Sequence, residues 1–60
     1  MDLKILSYSS TGIVDVLIDD KPYRYIIDGI YIPEFIRKAK SSSGAAINFL
    51  KEKSRHCKDL

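Results

Sequence analysis

The sequence predicts a small two-layer α+β domain. Three antiparallel strands, or four if Ile30–Ile32 also pairs, are followed by two short helices packed on one face of the sheet. Three observations predict it. Residues 3–27 hold three runs rich in β-branched or aromatic residues, separated by short polar turns. Ile32, Phe35, Ile36 and Ala39 recur at steps of three and four, the spacing of a helix face. Ser41-Ser42-Ser43-Gly44 then interrupts that periodicity before a second helical stretch.

The elements follow in chain order. Leu3–Tyr8 alternates, Ile13–Asp19 is β-branched, and Pro22–Ile27 combines isoleucines with Tyr23 and Tyr25. If Ser10-Thr11 is the first loop, Leu3 faces Ile18, Ile5 faces Val16 and Ser7 faces Val14. If Asp20-Lys21 is the second, Ile18 faces Tyr23, Val16 faces Tyr25 and Val14 faces Ile27. Both hairpins then gather Leu3, Ile5, Val14, Val16, Ile18, Tyr23, Tyr25 and Ile27 on one side. A one-residue slip would mix Lys4, Asp15 and Arg24 into that face, so burial sets the pairing. The opposite face receives Lys4, Leu6, Tyr8, Ile13, Asp15, Leu17, Arg24 and Ile26. Asp28-Gly29 between isoleucines is a two-residue hairpin signal and makes Ile30–Ile32 a candidate fourth strand.

Pro33 suits the first turn of a helix running to Lys40, because its missing N–H has no partner to lose there. A serine, Ser42 or Ser43, caps the next helix, which buries Ala46, Phe49 and Leu50 and shows Lys51, Glu52, Lys53 and Arg55 to water. Residues 1–56 make one domain, and residues 57–60 are expected to be a short frayed tail.

Composition bounds the function. Sixty residues allow a single domain that buries only about 60% of its unfolded surface. An apolar share of 45% with 30% charged residues is globular. No apolar run approaches the roughly 20 residues of a membrane span, the first residues lack the pattern of a secretory signal, and Cys57 is alone. These point to the cell interior, the cytoplasm, and away from membranes. The net charge of +2 conceals a division. Residues 1–36 sum to −3 and residues 37–60 to +5, a skew that fits either a surface for an anionic partner or simply a solvated helix face.

Several residues taken together resemble the KTSC domain, named for its occurrence at the C-terminus of some lysyl-tRNA synthetases and also found alone in small bacterial proteins. They are Tyr23-Arg24-Tyr25, then a helix, then Ser42-Ser43-Gly44-Ala45-Ala46-Ile47-Asn48. Ala39 lies fourteen residues after Tyr25, close to the spacing the family shows before its serine. The family's Val-Pro after the tyrosines is replaced by Asp28-Gly29, with Ile32-Pro33 further on, and its aromatic before asparagine is Ile47. The resemblance implies RNA binding by the family's company and no settled activity.

The residues themselves suggest where a ligand sits. At Lys40-Ser41-Ser42-Ser43-Gly44, a helix start offers free N–H groups, serine hydroxyls and a cation to a phosphate or carboxylate. The competing role for Ser42 is a plain N-cap. Arg37, Lys38 and Lys40 on one helix and Lys51, Lys53 and Arg55 on the next line one edge of the helical layer. With Arg24 and a stacking ring from Tyr8 or Tyr31, they suit single-stranded RNA or a ribonucleoprotein. Gly44 lets that ligand approach the backbone. His56-Cys57 lacks the partners of a zinc site, and the single histidine is remote from the serines, so neither a metal nor catalysis is expected. No small-molecule cofactor is expected either. The alternative is a protein-interaction or homodimerisation module that uses the outer apolar residues Leu6, Ile13, Leu17 and Ile26.

Overall fold

The computed structural model describes residues 2–60. Strands β1 (Leu3–Tyr8), β2 (Ile13–Ile18) and β3 (Lys21–Ile26) lead through a 3-10 turn, Gly29–Tyr31, into α1 (Ile32–Ser41) and α2 (Ser43–Lys53). The chain then returns to the sheet as β4 (His56–Asp59). The four strands pair antiparallel in the order β1-β2-β3-β4. Both helices pack on one side, so this is a small α+β fold of two layers.

Between the layers lies a single core. Val14, Val16, Ile18, Tyr25 and Ile27 come from the sheet side, and Ile32, Phe35, Ala46, Ile47, Phe49 and Leu50 from the helices. Leu3, Ile5, Tyr23, Ile36 and Ala39 close its margin. Tyr25 is only 5% exposed, so the aromatic run in β3 belongs chiefly to the core. Ile47, which the sequence reading left out of the core, is buried beside Ala46.

The strand faces are as expected except at Ser7 and Tyr8, which exchange sides, and the turns differ from those the sequence indicates. Asp19 and Asp20, at φ 51° and 69°, form the β2–β3 turn. Val16 therefore faces Tyr23 and Val14 faces Tyr25, where a turn at Asp20-Lys21 would have placed both tyrosines two residues further along. Two left-handed residues match the twist of a hairpin, and aspartate tolerates that conformation better than lysine. A shift of two residues preserves every face. In the first hairpin Leu3 faces Ile18 and Ile5 faces Val16, as the sequence indicates. A bulge between Ile5 and Ser7 then moves Ser7 opposite Asp15 and Tyr8 opposite Val14, instead of Ser7 opposite Val14. The connecting loop is Ser9–Gly12, held by Ser9 N–H donating to the Ile13 carbonyl and Gly12 N–H donating to that of Ser9.

Asp28-Gly29 makes no hairpin, and Ile30–Ile32 is not a strand. Asp28 is extended, Gly29 opens the 3-10 turn, and Ile32 already belongs to α1. The glycine serves close approach instead. A Cβ at Gly29 would collide with the Ser10 carbonyl oxygen, and one at Gly12 with that of Ile27. Gly12, at φ 110°, also accepts a hydrogen bond from Ile27 N–H (2.9 Å). The two glycines thus let the β1–β2 loop lock onto the segment leaving β3.

The C-terminal residues are a strand and not a frayed tail. Tyr25 faces Cys57 and Tyr23 faces Asp59, while Arg55 N–H and Leu60 N–H extend the ladder to Ile26 and Pro22. The fourth strand the sequence leaves open therefore comes from the far end of the chain. Its four residues are all exposed and polar or charged except Cys57, so they carry no apolar alternation to announce it.

Candidate nucleic-acid interface

The site is built on the helix pair. Pro33 fills the first turn of α1, Glu34 stands near its N-terminus, and Lys38 and Lys40 stand in its last turn. Each charge complements the helix dipole. One residue, Ser42, separates the helices. Its hydroxyl accepts from Ala45 N–H (3.3 Å) and its carbonyl from Ala46 N–H (3.1 Å), so it is the N-cap of α2.

The short connection turns α2 back along α1 and brings Phe49 against Tyr31. Their rings meet edge to face, with centroids 5.8 Å apart and planes at 85°. Two lysines border this pair. Lys38 Nζ lies 5.5 Å from the Phe49 centroid, and Lys53 Nζ lies 5.3 Å from the Tyr31 centroid. Each lysine also has a carboxylate within loose range, Glu34 at 3.8 Å and Glu52 at 3.9 Å. Beside them Arg55 grips Asp28 at 2.8 Å. Arg37 lies with Glu34, Lys38 and Ser41 along an open groove of about 440 Å³ on the outside of α1.

The cations named from the sequence are therefore divided. Lys38 and Lys53 share the Tyr31–Phe49 surface, with Arg37 along α1 and Arg55 at the α2 exit. Lys40 is exposed near the end of α1. Lys51 stands elsewhere, because two residues along a helix turn it by roughly 200° from Lys53. It lines a cleft beside Tyr23 and Tyr25. Arg24 is on the far face of the sheet, bound to Asp15. Ser42 spends its hydroxyl on the cap, and a Cβ at Gly44 would meet only the Ser42 Oγ, at 3.8 Å. Tyr8 is exposed at the opposite edge of the sheet, on β1.

Three groups have displaced ionisation: Asp15, its partner Arg24, whose guanidinium is raised above its ordinary value by the hydrogen bond to Asp15, and Tyr25. The Arg24 guanidinium hydrogen-bonded to Asp15 holds that carboxyl below its ordinary value of 3.8. Burial, aided by the neighbouring Cys57, pushes the Tyr25 phenol up to about 12. Tyr25 is thus a hydrogen-bond donor across the physiological range and no base. Among the described residues no group of three or more histidine, cysteine, aspartate or glutamate side chains is placed to hold a metal. No helix among them is long and apolar enough to cross a membrane.

Sequence reasoning missed Phe49 as the partner of Tyr31, and it missed the carboxylates that attend the cations. The Glu34–Lys38 pair was visible in the i, i+4 spacing. Asp28 with Arg55 was not, because it depends on α2 ending over the exit of β3. No family model, curated protein or solved structure matches this chain.

Proposed function

We propose that this domain is a non-enzymatic binding module that takes single-stranded RNA on the α1–α2 surface, inside the cell. The observation that carries this reading is the Tyr31–Phe49 pair bordered by Lys38 and Lys53. Phe49 is buried and braces Tyr31, which is only partly buried against the core, so Tyr31 is the ring a base would stack on once Lys53 swings aside, and the displaced ammonium groups would reach flanking phosphates. Their loose carboxylate contacts are of the exposed kind that contribute about 0–1 kcal/mol, so exchanging them for phosphates costs little. Arg37 and Lys40 extend the cationic track along α1. The KTSC-like segments fit the same reading through the fold: Tyr25 sits in the core and Ser42 caps α2, so the positions of resemblance hold the layer that presents the cations. The exposed, unpaired Cys57 thiol suits a reducing compartment.

Fluorescence anisotropy with a labelled oligouridylate tests the proposal. Binding should weaken with salt at a slope of about −2 to −3 on logarithmic axes, as for three or four neutralised phosphates. Lys38→Ala with Lys53→Ala should weaken it, and so should Tyr31→Leu, while Lys4→Ala should not. Equal competition by heparin, or an unchanged affinity in the double variant, overturns it.

A second reading rests on the uncovered sheet face. Both helices lie on the other side, which leaves Leu6 52% and Ile13 40% exposed, with half-buried Leu17 and Ile26 beside them. A second copy of the chain packed on this face gives a dimer. Light scattering separates the readings: a dimer insensitive to salt supports self-association, and a monomer excludes it.

A further inference from the structure

A cleft of about 360 Å³ opens on the helical side of the sheet, away from the Tyr31–Phe49 surface. Ile18, Asp19, Lys21, Tyr23, Tyr25 and Lys51 line it. Its volume lies within the range of about 300–1,000 Å³ common to small-molecule sites. The floor is apolar and aromatic: Ile18 and the tilted Tyr23–Tyr25 pair, with centroids 6.4 Å apart and planes at 49°. Two ammonium groups stand on it from different elements, Lys21 from the start of β3 and Lys51 from α2. Neither joins an ion pair among the described residues. The one carboxylate present, Asp19, is already engaged, since its Oδ1 accepts from Asp2 N–H at 2.9 Å. The cleft therefore has a net positive lining over an apolar, ring-bearing base.

We propose that this cleft binds a small aromatic anion, a ring bearing one phosphate or carboxylate, with the ring on Ile18 and Tyr23 and the anion between Lys21 and Lys51. An apolar floor favours the ring, and two cations brought to one cleft from different elements favour an anionic group on it. Nothing here depends on the RNA surface, because Lys51 and Lys53 leave α2 on different sides.

Amide chemical shifts of the labelled domain test this with four probes: adenosine 5′-monophosphate, 4-hydroxybenzoate, adenosine and inorganic phosphate. Either aromatic anion should move the amides of Ile18, Lys21, Tyr23 and Lys51; the first alone identifies a phosphate ligand, the second alone a carboxylate. Adenosine and inorganic phosphate should each bind at least about tenfold more weakly, having lost the charge-assisted bonds or the ring contact. Lys51→Ala, on an exposed helix position where alanine is well tolerated, should weaken binding about tenfold. Lys38→Ala with Lys53→Ala should leave it unchanged, so that failure here and failure of the RNA reading are told apart. Absence of shifts with both aromatic anions overturns the proposal. So does equal binding of adenosine or inorganic phosphate, or a Lys51→Ala variant that binds like the parent.

Discussion

Arg24 holds Asp15 in a fork: Nε lies 2.7 Å from Oδ1 and Nη2 lies 3.1 Å from Oδ2, across directly paired positions of β3 and β2. Ser7 Oγ adds a third contact to the same carboxylate at 3.3 Å. The cation once available to a ligand on the outer face is thus committed to the sheet.

Acid should reveal that commitment. The folded carboxyl of Asp15 titrates below its ordinary 3.8, so its contribution is present above that value and is lost as pH falls through the folded value. Asp15→Asn should be less stable than the parent at neutral pH, and the two should converge in acid. Urea unfolding followed at several pH values checks this; a constant gap down the acid limb contradicts it.

Alkali should act on Tyr25. With its phenol raised from 10.0 to about 12, the unfolded chain ionises first, so stability is whole below pH 10 and falls as pH rises through about 12. Tyr25→Phe should flatten that alkaline decline. Thermal melts across the range measure it.

Gly12→Ala should be destabilising by more than about 1 kcal/mol, since the position combines a left-handed backbone with an occupied Cβ site. Gly44→Ala, in open space on α2, should instead be neutral or slightly stabilising. Chemical denaturation of the pair tests both statements at once.

Removing the α2 cap should cost about 1 kcal/mol in Ser42→Ala and only a few tenths in Ser42→Gly, which leaves the N-terminal N–H groups open to water. A larger loss of RNA affinity than of stability in Ser42→Ala would assign the hydroxyl to the ligand after all.

How far the fold was legible follows from which signals are local. The inner face of the sheet could be read because alternation survives a two-residue change of register, and the helix pair because Pro33 and Ser42 mark their starts. Asp28-Gly29 misled because a glycine needed for contact with Ser10 looks the same, in one dimension, as a glycine needed for a turn. β4 was illegible because His56–Asp59 owes its extended form to the open edge of β3 and carries no pattern of its own. For the interface, the identity of the cations was plain but their grouping was not. Whether Lys51 joins Lys53 or Lys21 is decided by the angle at which α2 crosses the sheet.

The two borders of the sheet have a consequence for how crowded copies behave. One rim is interrupted by the kink after Ile5, and the other ends in four residues that include Lys58 and Asp59. Neither offers a long, flat row of vacant amides for a stranger's backbone to extend, so ribbon-like stacking into fibres is discouraged at both sides.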